Sequence, residues 1–246
     1  MKVLISIDDT DNLESRGTGE IASLIAEALE ANGWAKTGIV TRHQLLVHPD
    51  IPYTSHNSAM CFPADLQEGA LEPVIAFTCG FLDHECAAGS DPGLCVAPLE
   101  RLGDGAELID FGQKAKRQVL TTRNAYELGG RLGLHLSEHG GTGQGIIGAL
   151  AGAGLRLSGN DGRMKGALDF SGRNLLRLEE LLDHPHIDAV RPFDGGELSP
   201  DALVEIGEKP KTVLRHGLSV LFVSPLSRDG SEANWQTTHR KQLRGY

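Results

Sequence analysis

Three carboxylates within four residues, Asp8, Asp9 and Asp11, close the opening segment MKVLISIDDTDN. Val3 to Ile7, with Ser6 as its only polar residue, has the pattern of a buried strand. Carboxylates repel one another, and each is better solvated by water than by protein. Crowding them where a core strand ends is therefore costly unless a cation or a proton offsets the charge. Hard cations such as Mg²⁺ take oxygen ligands, often one or two carboxylates together with phosphate oxygens. The spacing predicts a metal-phosphate site at the mouth of a sheet, with Asp8, Asp9 and Asp11 as metal ligands. Asp9 and Asp11 are also the candidate catalytic groups. Taken singly, an Asp there could simply cap a helix or form an Asx turn.

A second segment invites an anion. Gly140-Gly141-Thr142-Gly143-Gln144-Gly145 opens the small-residue run Ile146 to Ala153. Backbone N–H groups of such a loop can approach a phosphate closely, and a helix N-terminus favours negative charge. Gly141, Thr142, Gly143, Gln144 and Gly145 are the candidate cradle; a helix using its glycines for close packing is the competing reading. Residues 143–148 spell GxGxxG, but no suitable acid follows about twenty residues later and Gly-Lys-Ser/Thr is absent. Neither a dinucleotide fingerprint nor a P-loop is supported. A dehalogenase-type phosphatase loop and an EF-hand both fail at Leu13. His56 and Asn57, after the Pro49–Pro52 loop, form a further polar candidate for nucleotide binding.

The elements that must position these groups are legible in part. Thr18 is a plausible N-cap, and Ile21, Leu24, Ile25, Ala28 and Leu29 make one apolar stripe ending at Asn32-Gly33. Strands are expected at 38–41, 44–47, 58–62, 74–78 and 218–223. Helices are expected at 107–119, 122–132, 146–153 and 174–182. The fold class is α/β: a mixed sheet with flanking helices over residues 1–162, and a smaller α+β portion over 163–246, divided at the turn-rich DGRMKG.

Composition narrows the function classes. The chain has 246 residues and a formal net charge of -10, which argues against non-specific nucleic-acid binding. The 4 Cys form no CxxC pair, so a zinc ribbon is not expected. No apolar run reaches the length of a membrane span, and the first apolar stretch runs straight into Asp8 instead of forming a leader. A soluble, cytoplasmic protein without membrane partners is expected, and a homodimer is compatible with the sequence.

Four segments in order resemble the N-terminal, kinase-like domain of the archaeal isoleucine-tRNA 2-agmatinylcytidine synthetases. They are Ile7-Asp8-Asp9-Thr10-Asp11-Asn12, Leu46 to Tyr53, Ser90-Asp91-Pro92-Gly93, and Gly143 to Ala151. The resemblance covers residues 1 to about 160. It implies ATP as substrate and Thr18 as a residue that activates or accepts the transferred group, although Glu20 competes for that match. The family's Lys-Thr-Arg stretch is Thr54-Ser55-His56 here, and its OB-fold and zinc ribbon have no counterpart. The resulting expectation is a Mg²⁺-dependent, ATP-using phosphotransferase or ligase-like enzyme acting on a small molecule or nucleoside, its acceptor unknown. Nucleic acid is read as an improbable partner for the isolated chain. Two alternatives stay open: a non-catalytic nucleotide or metal-binding module, and a tRNA-modifying subunit whose partner recognises the tRNA.

Overall fold

A computed structural model describes residues 1–51, 57–226 and 232–246, and the chain divides into two compact units, Met1–Ser158 and Gly159–Tyr246. Thirteen strands and six α-helices occur among the described residues, in an α/β arrangement with parallel and antiparallel strand pairs.

Unit 1 is built around β1 (Lys2–Asp8), a strand buried on both faces from Val3 onward. It pairs antiparallel with β4 (Ser58–Leu66) on one side and β5 (Gly93–Pro98) on the other. Strand β3 (Thr41–Gln44) and the short β2 (Ala35–Thr37) extend from β4, and β6 (His135–Glu138) extends from β5. Alternation along β1 sorts its side chains. Val3, Ile5 and Ile7 face a core shared with α1 (Thr18–Ala31) and α2 (Leu71–Glu85). Burial of each such side chain is worth roughly 1.5–3 kcal/mol. Leu4 faces the other core, formed by α3 (Ala106–Ala115), α4 (Thr122–Arg131) and α5 (Gly145–Leu157).

Helix α5 is buried along nearly its whole length. Its glycines permit this. A Cβ at Gly148 would overlap the Asp8 carboxylate, and one at Gly152 would meet Ser6 Oγ. Asp8 and Ser6 therefore share the face of β1 that α5 covers, and α5 runs antiparallel to β1.

Unit 2 has its own core, centred on Leu176, Leu181, Val190, Val204, Leu221 and Val223. Its strands are β7 (Arg163–Met164), β8 (Leu175–Arg177), β9 (Ala189–Pro192), β10 (Leu203–Glu205), β11 (Thr212–Arg215), β12 (Leu218–Pro225) and β13 (Trp235–Thr237), with one short helix, α6 (Leu178–Leu182). Its pairings are mixed: β9–β12 and β10–β13 are parallel, and the others are antiparallel.

Several expectations are corrected. Residues 74–78 are not a strand but the middle of α2. Pro73 sits in its first turn, where a missing N–H is harmless, and Val74, Thr78 and Leu82 form a buried i, i+4 row. The helix expected at 174–182 is a strand followed by one short helix. The strands expected at 38–41 and 44–47 largely fall outside β2 and β3; Gly38 lies between those two strands, its N–H donating to the Pro63 carbonyl at 2.8 Å and its lack of a side chain making room for the Pro63 ring. The buried face of α1 is Ile21, Ala22, Ile25, Ala26 and Leu29, leaving Leu24 and Ala28 only partly covered. Helix α3 ends at Ala115, and Val119 is exposed. Thr18 is the first helical residue, not the N-cap, which is Gly17.

Candidate functional site

Asp8, the last residue of β1, is only 8% exposed. Burial first, then the charges of Asp9, Asp11 and Asp91, push its carboxyl up to about 8. Asp9 follows with φ of 51°, in the left-handed region that side chains rarely adopt. Its carboxyl is raised to about 6, by burial and then by Asp91 and Asp11. The three strand-end carboxylates thus crowd one another, and Asp91 adds its charge from a separate segment.

The acidic loop is tied down on both sides. Thr18 Oγ1 donates to Asp11 Oδ1 at 3.1 Å and accepts from the Thr10 N–H at 3.4 Å. Ala87 N–H donates to the Thr10 carbonyl, and Asp91 N–H to the Asp9 carbonyl. Arg16 pairs with Glu85 beside it. Such over-determination is what holds a residue in a strained backbone state.

The glycine loop does form an anion cradle, and the anion is a side chain of the chain itself. Asp91 accepts from Thr142 N–H at 3.0 Å, Gly143 N–H at 2.7 Å, Gln144 N–H at 3.1 Å and Thr142 Oγ1 at 2.6 Å. Burial alone would raise this carboxyl, but these donors outweigh it and hold it below the usual carboxylate range. Gly141, with φ of 60°, leaves no room for a side chain against Asp91.

A cleft of about 80 Å³ within unit 1 brings some of the predicted residues together. Asp8, Asp9 and Asp11 line it together with Gln144, Gly145 and Gly148. Asn57 lines it too, anchored through its Nδ2 to the Leu46 carbonyl at 2.6 Å. The apolar part of the lining is Leu45, Ile51, Val119, Leu120 and Ile147, and Asp50 adds a carboxylate. Gly141, Thr142 and Gly143 sit behind the cleft, around Asp91. Thr18 is 6% exposed and reaches the cleft only through Asp11. His56 lies outside the described residues.

The donor set is all oxygen and acidic, which suits a hard divalent cation. Among the described residues no three His, Cys, Asp or Glu side chains converge as a ready-made metal cage.

Two features of the site region are not apparent from residue spacing alone. One is the role of Asp91; its segment is one of the four family motifs, which was the available signal. The other is a hydrogen-bonded chain beside the glycine loop. Asp83 Oδ1 meets His139 Nδ1 at 2.8 Å, His139 Nε2 meets Ser137 Oγ at 2.8 Å, and Ser137 meets His135 Nε2 at 3.0 Å. An ionised Asp83 can only accept, so the His139 Nδ1–H donates to it. His135, Ser137 and His139 alternate along and just past β6, so they share a face against α2. That face was invisible while the segment had no assigned strand.

No protein-family model matches the chain. Two curated proteins do. The isoleucine-tRNA 2-agmatinylcytidine synthetase TiaS of Methanosarcina acetivorans is 27% identical over 161 residues, 63% of this chain and 36% of that protein. The TiaS of Methanosarcina mazei is 30% identical over 179 residues, 70% of this chain and 39% of that protein. Among solved structures, apo TiaS aligns over 63% of this chain and 35% of its own, at TM-score 0.54 and 26% identity. The complex of TiaS with its isoleucine tRNA and ATP has the same fold over 87% of this chain and 51% of its own, at TM-score 0.56 and 24% identity.

One expectation is overturned. Nucleic acid was held an improbable partner, yet the relatives are tRNA-modifying synthetases and one is solved with its tRNA bound. The physical reason is that net charge averages over unlike regions. Residues 1–158 carry 11 Lys and Arg against 20 Asp and Glu, whereas residues 159–246 carry 12 against 13. No helix among the described residues is long and apolar enough to cross a membrane. In sequence and in fold, the chain is a relative of the isoleucine-tRNA 2-agmatinylcytidine synthetases, spanning less than half the length of the curated ones.

Proposed function

We propose that this chain uses ATP, with Mg²⁺, to activate a position on a tRNA for modification. The observation that carries the reading is the cleft lined by the strand-end carboxylates Asp8, which is buried, and Asp9 and Asp11, which are half-buried, together with the first turn of α5. Its likeness to TiaS, solved with ATP and with AMPCPP and agmatine, supports the choice of ligand. A reaction on tRNA with ATP belongs in the cytoplasm.

The roles follow from position. Asp8, Asp9 and Asp11 would hold the cation, which when bound neutralises phosphate charge. Thr18 orients Asp11 and fixes the loop. Gly145 and Gly148 bring the positive end of α5 against the carboxylates, where a phosphate also gains from the helix dipole. Asp91 shapes the glycine loop by holding its N–H groups. The apolar wall of Leu45, Val119 and Ile147 offers a surface for a base, with Asn57 and Gln144 as polar partners. In phosphoryl chemistry the protein mainly positions reactants and neutralises charge, and this apparatus does both.

The test is turnover of ATP with bulk tRNA and an amine acceptor, for the native chain and D9N. The native chain should release phosphate or pyrophosphate only with tRNA present, and D9N should lose at least about a hundredfold in kcat/KM with an unchanged circular dichroism spectrum. Normal turnover by D9N would remove the cation assignment. ATP turnover with a small molecule and no RNA would favour the phosphotransferase reading instead.

A further inference from the structure

Unit 2 gathers cations from three separated stretches of chain. Strand β7 supplies Arg163, and Lys165 follows it; the approach to β11 supplies Lys209 and Lys211; the C-terminal turn supplies Arg240 and Arg244. Backbone geometry brings them together. Val213 pairs with Arg163, Leu214 N–H donates to the Gly162 carbonyl at 2.8 Å, and Leu168 N–H donates to the Pro210 carbonyl at 3.5 Å. Arg163 Nη1 donates to the Arg240 carbonyl at 3.5 Å, and Lys211 Nζ donates to the Gly166 carbonyl. Leu243, 1% exposed, pins the C-terminal turn to the unit. Arg163 and Lys211 are half-buried beneath the exposed Lys165, Lys209, Arg240 and Arg244.

Crowded like charges raise the same question here as the carboxylates do in unit 1. Burial first, then Arg163, Lys165, Arg240 and Lys209, hold the Lys211 ammonium below its ordinary range. Burial, then Arg240 and Arg244, do the same to Arg163. A fold keeps such a cluster at a cost unless an anion shares it. Six cations spread over three chain segments suit an extended polyanion better than one phosphate.

We propose that Arg163, Lys165, Lys209, Lys211, Arg240 and Arg244 form a face that holds the sugar-phosphate backbone of RNA. This rests on the reading that the chain acts on a tRNA, and it assigns backbone contact to unit 2. The face reads charge and spacing, not base sequence, since flexible Lys and Arg on a phosphate backbone carry little sequence information. It also explains how a chain of net charge -10 can engage a nucleic acid at all.

The experiment measures binding of an unmodified tRNA transcript to the full chain by fluorescence anisotropy across a KCl series. It compares the native chain with the exposed-residue variant K165E/K209E/R240E/R244E. A milder variant, K165Q/K209Q/R240Q/R244Q, guards against misfolding, and thermal melts check both. The expected result is a loss of about ten- to a hundredfold in affinity at 0.15 M salt. The salt slope should fall by about one for each phosphate contact removed. Calorimetric binding of Mg-ATP should be unchanged, because that cleft lies in unit 1. If the folded variants bind tRNA with the native affinity and slope, the face is wrong while the tRNA reading stands. If the native chain binds no tRNA, the tRNA reading itself fails and takes the face with it. Preferential binding to vesicles containing phosphatidylserine over tRNA would also overturn the proposal.

Discussion

The two units each crowd like charges, with opposite sign and in opposite settings. Unit 1 buries Asp8 at the end of a strand buried from Val3 onward, under a helix that touches it, with Asp9 and Asp11 half-buried beside it. Unit 2 spreads cations over loops and strand edges, most of them exposed. The burial decides what each can bind. A desolvated cluster needs a compact partner that reaches every member, which a divalent ion with a phosphate can do. An exposed cluster is screened by salt and gains from a long partner that meets several members at once. Sign and burial, read together, are what distinguish the proposed small-ligand site from the proposed macromolecular face.

Removing one buried charge should give the largest stability effect and would sharpen the contrast. Asp8 has its carboxyl raised to about 8 in the folded chain, against an ordinary 3.8. A raised carboxyl stabilises the fold fully at low pH, and that stability drains away as pH rises from about 4 through about 8. D8N carries no such penalty. Its stability advantage over the native chain should grow across this window, at up to about 1.4 kcal/mol per pH unit, and level off above it. Denaturant melts of the ligand-free proteins at pH 5, 6, 7 and 8 would read this directly. Equal pH profiles would mean that Asp8 is solvated, and the contrast between the units would be lost. Charge removal on the exposed face of unit 2 should produce no comparable pH-dependent gain.

A second prediction concerns the close approach in unit 1. G148A puts a methyl group into the Asp8 carboxylate. The variant should lose about 1–3 kcal/mol in denaturant melts and also lose Mg-ATP affinity. Retention of both would show that α5 can lift from β1 without penalty.

The smallest of the three effects is expected at Asp91. D91A leaves the N–H groups of Thr142, Gly143 and Gln144 without their acceptor. A loss of about 1–2 kcal/mol is expected in chemical denaturation, and added phosphate or sulfate should restore part of it. No restoration by anions would mean that the loop collapses and keeps no cradle.

What the sequence reveals divides along physical lines. Strand β1, the acidic loop and the helix after the glycines are legible, because a burst of carboxylates after an apolar run and a glycine-rich helix start are local signals. Residues 74–78 mislead because a five-residue apolar run satisfies both a strand and a buried helix, and only its packing partners decide. The occupancy of the glycine loop by Asp91 is not local: donor and acceptor are separated by about fifty residues of chain. The cationic face escapes for the same reason, since its members are scattered and a whole-chain charge of -10 hides them.

Helix α5 meshes with β1 like a rack with a pinion. Four helical residues advance about 6.0 Å and two strand residues about 6.7 Å, so Gly148 over Asp8 and Gly152 over Ser6 fall into step. The mismatch accumulates, and the mesh can hold for only about two teeth. The aspartate is therefore one of the few places along the strand where backbone approach is tight enough to fix an oxygen in space. The proposed cation ligand and the mechanical fit share a single constraint here, and drift at either glycine would forfeit both together.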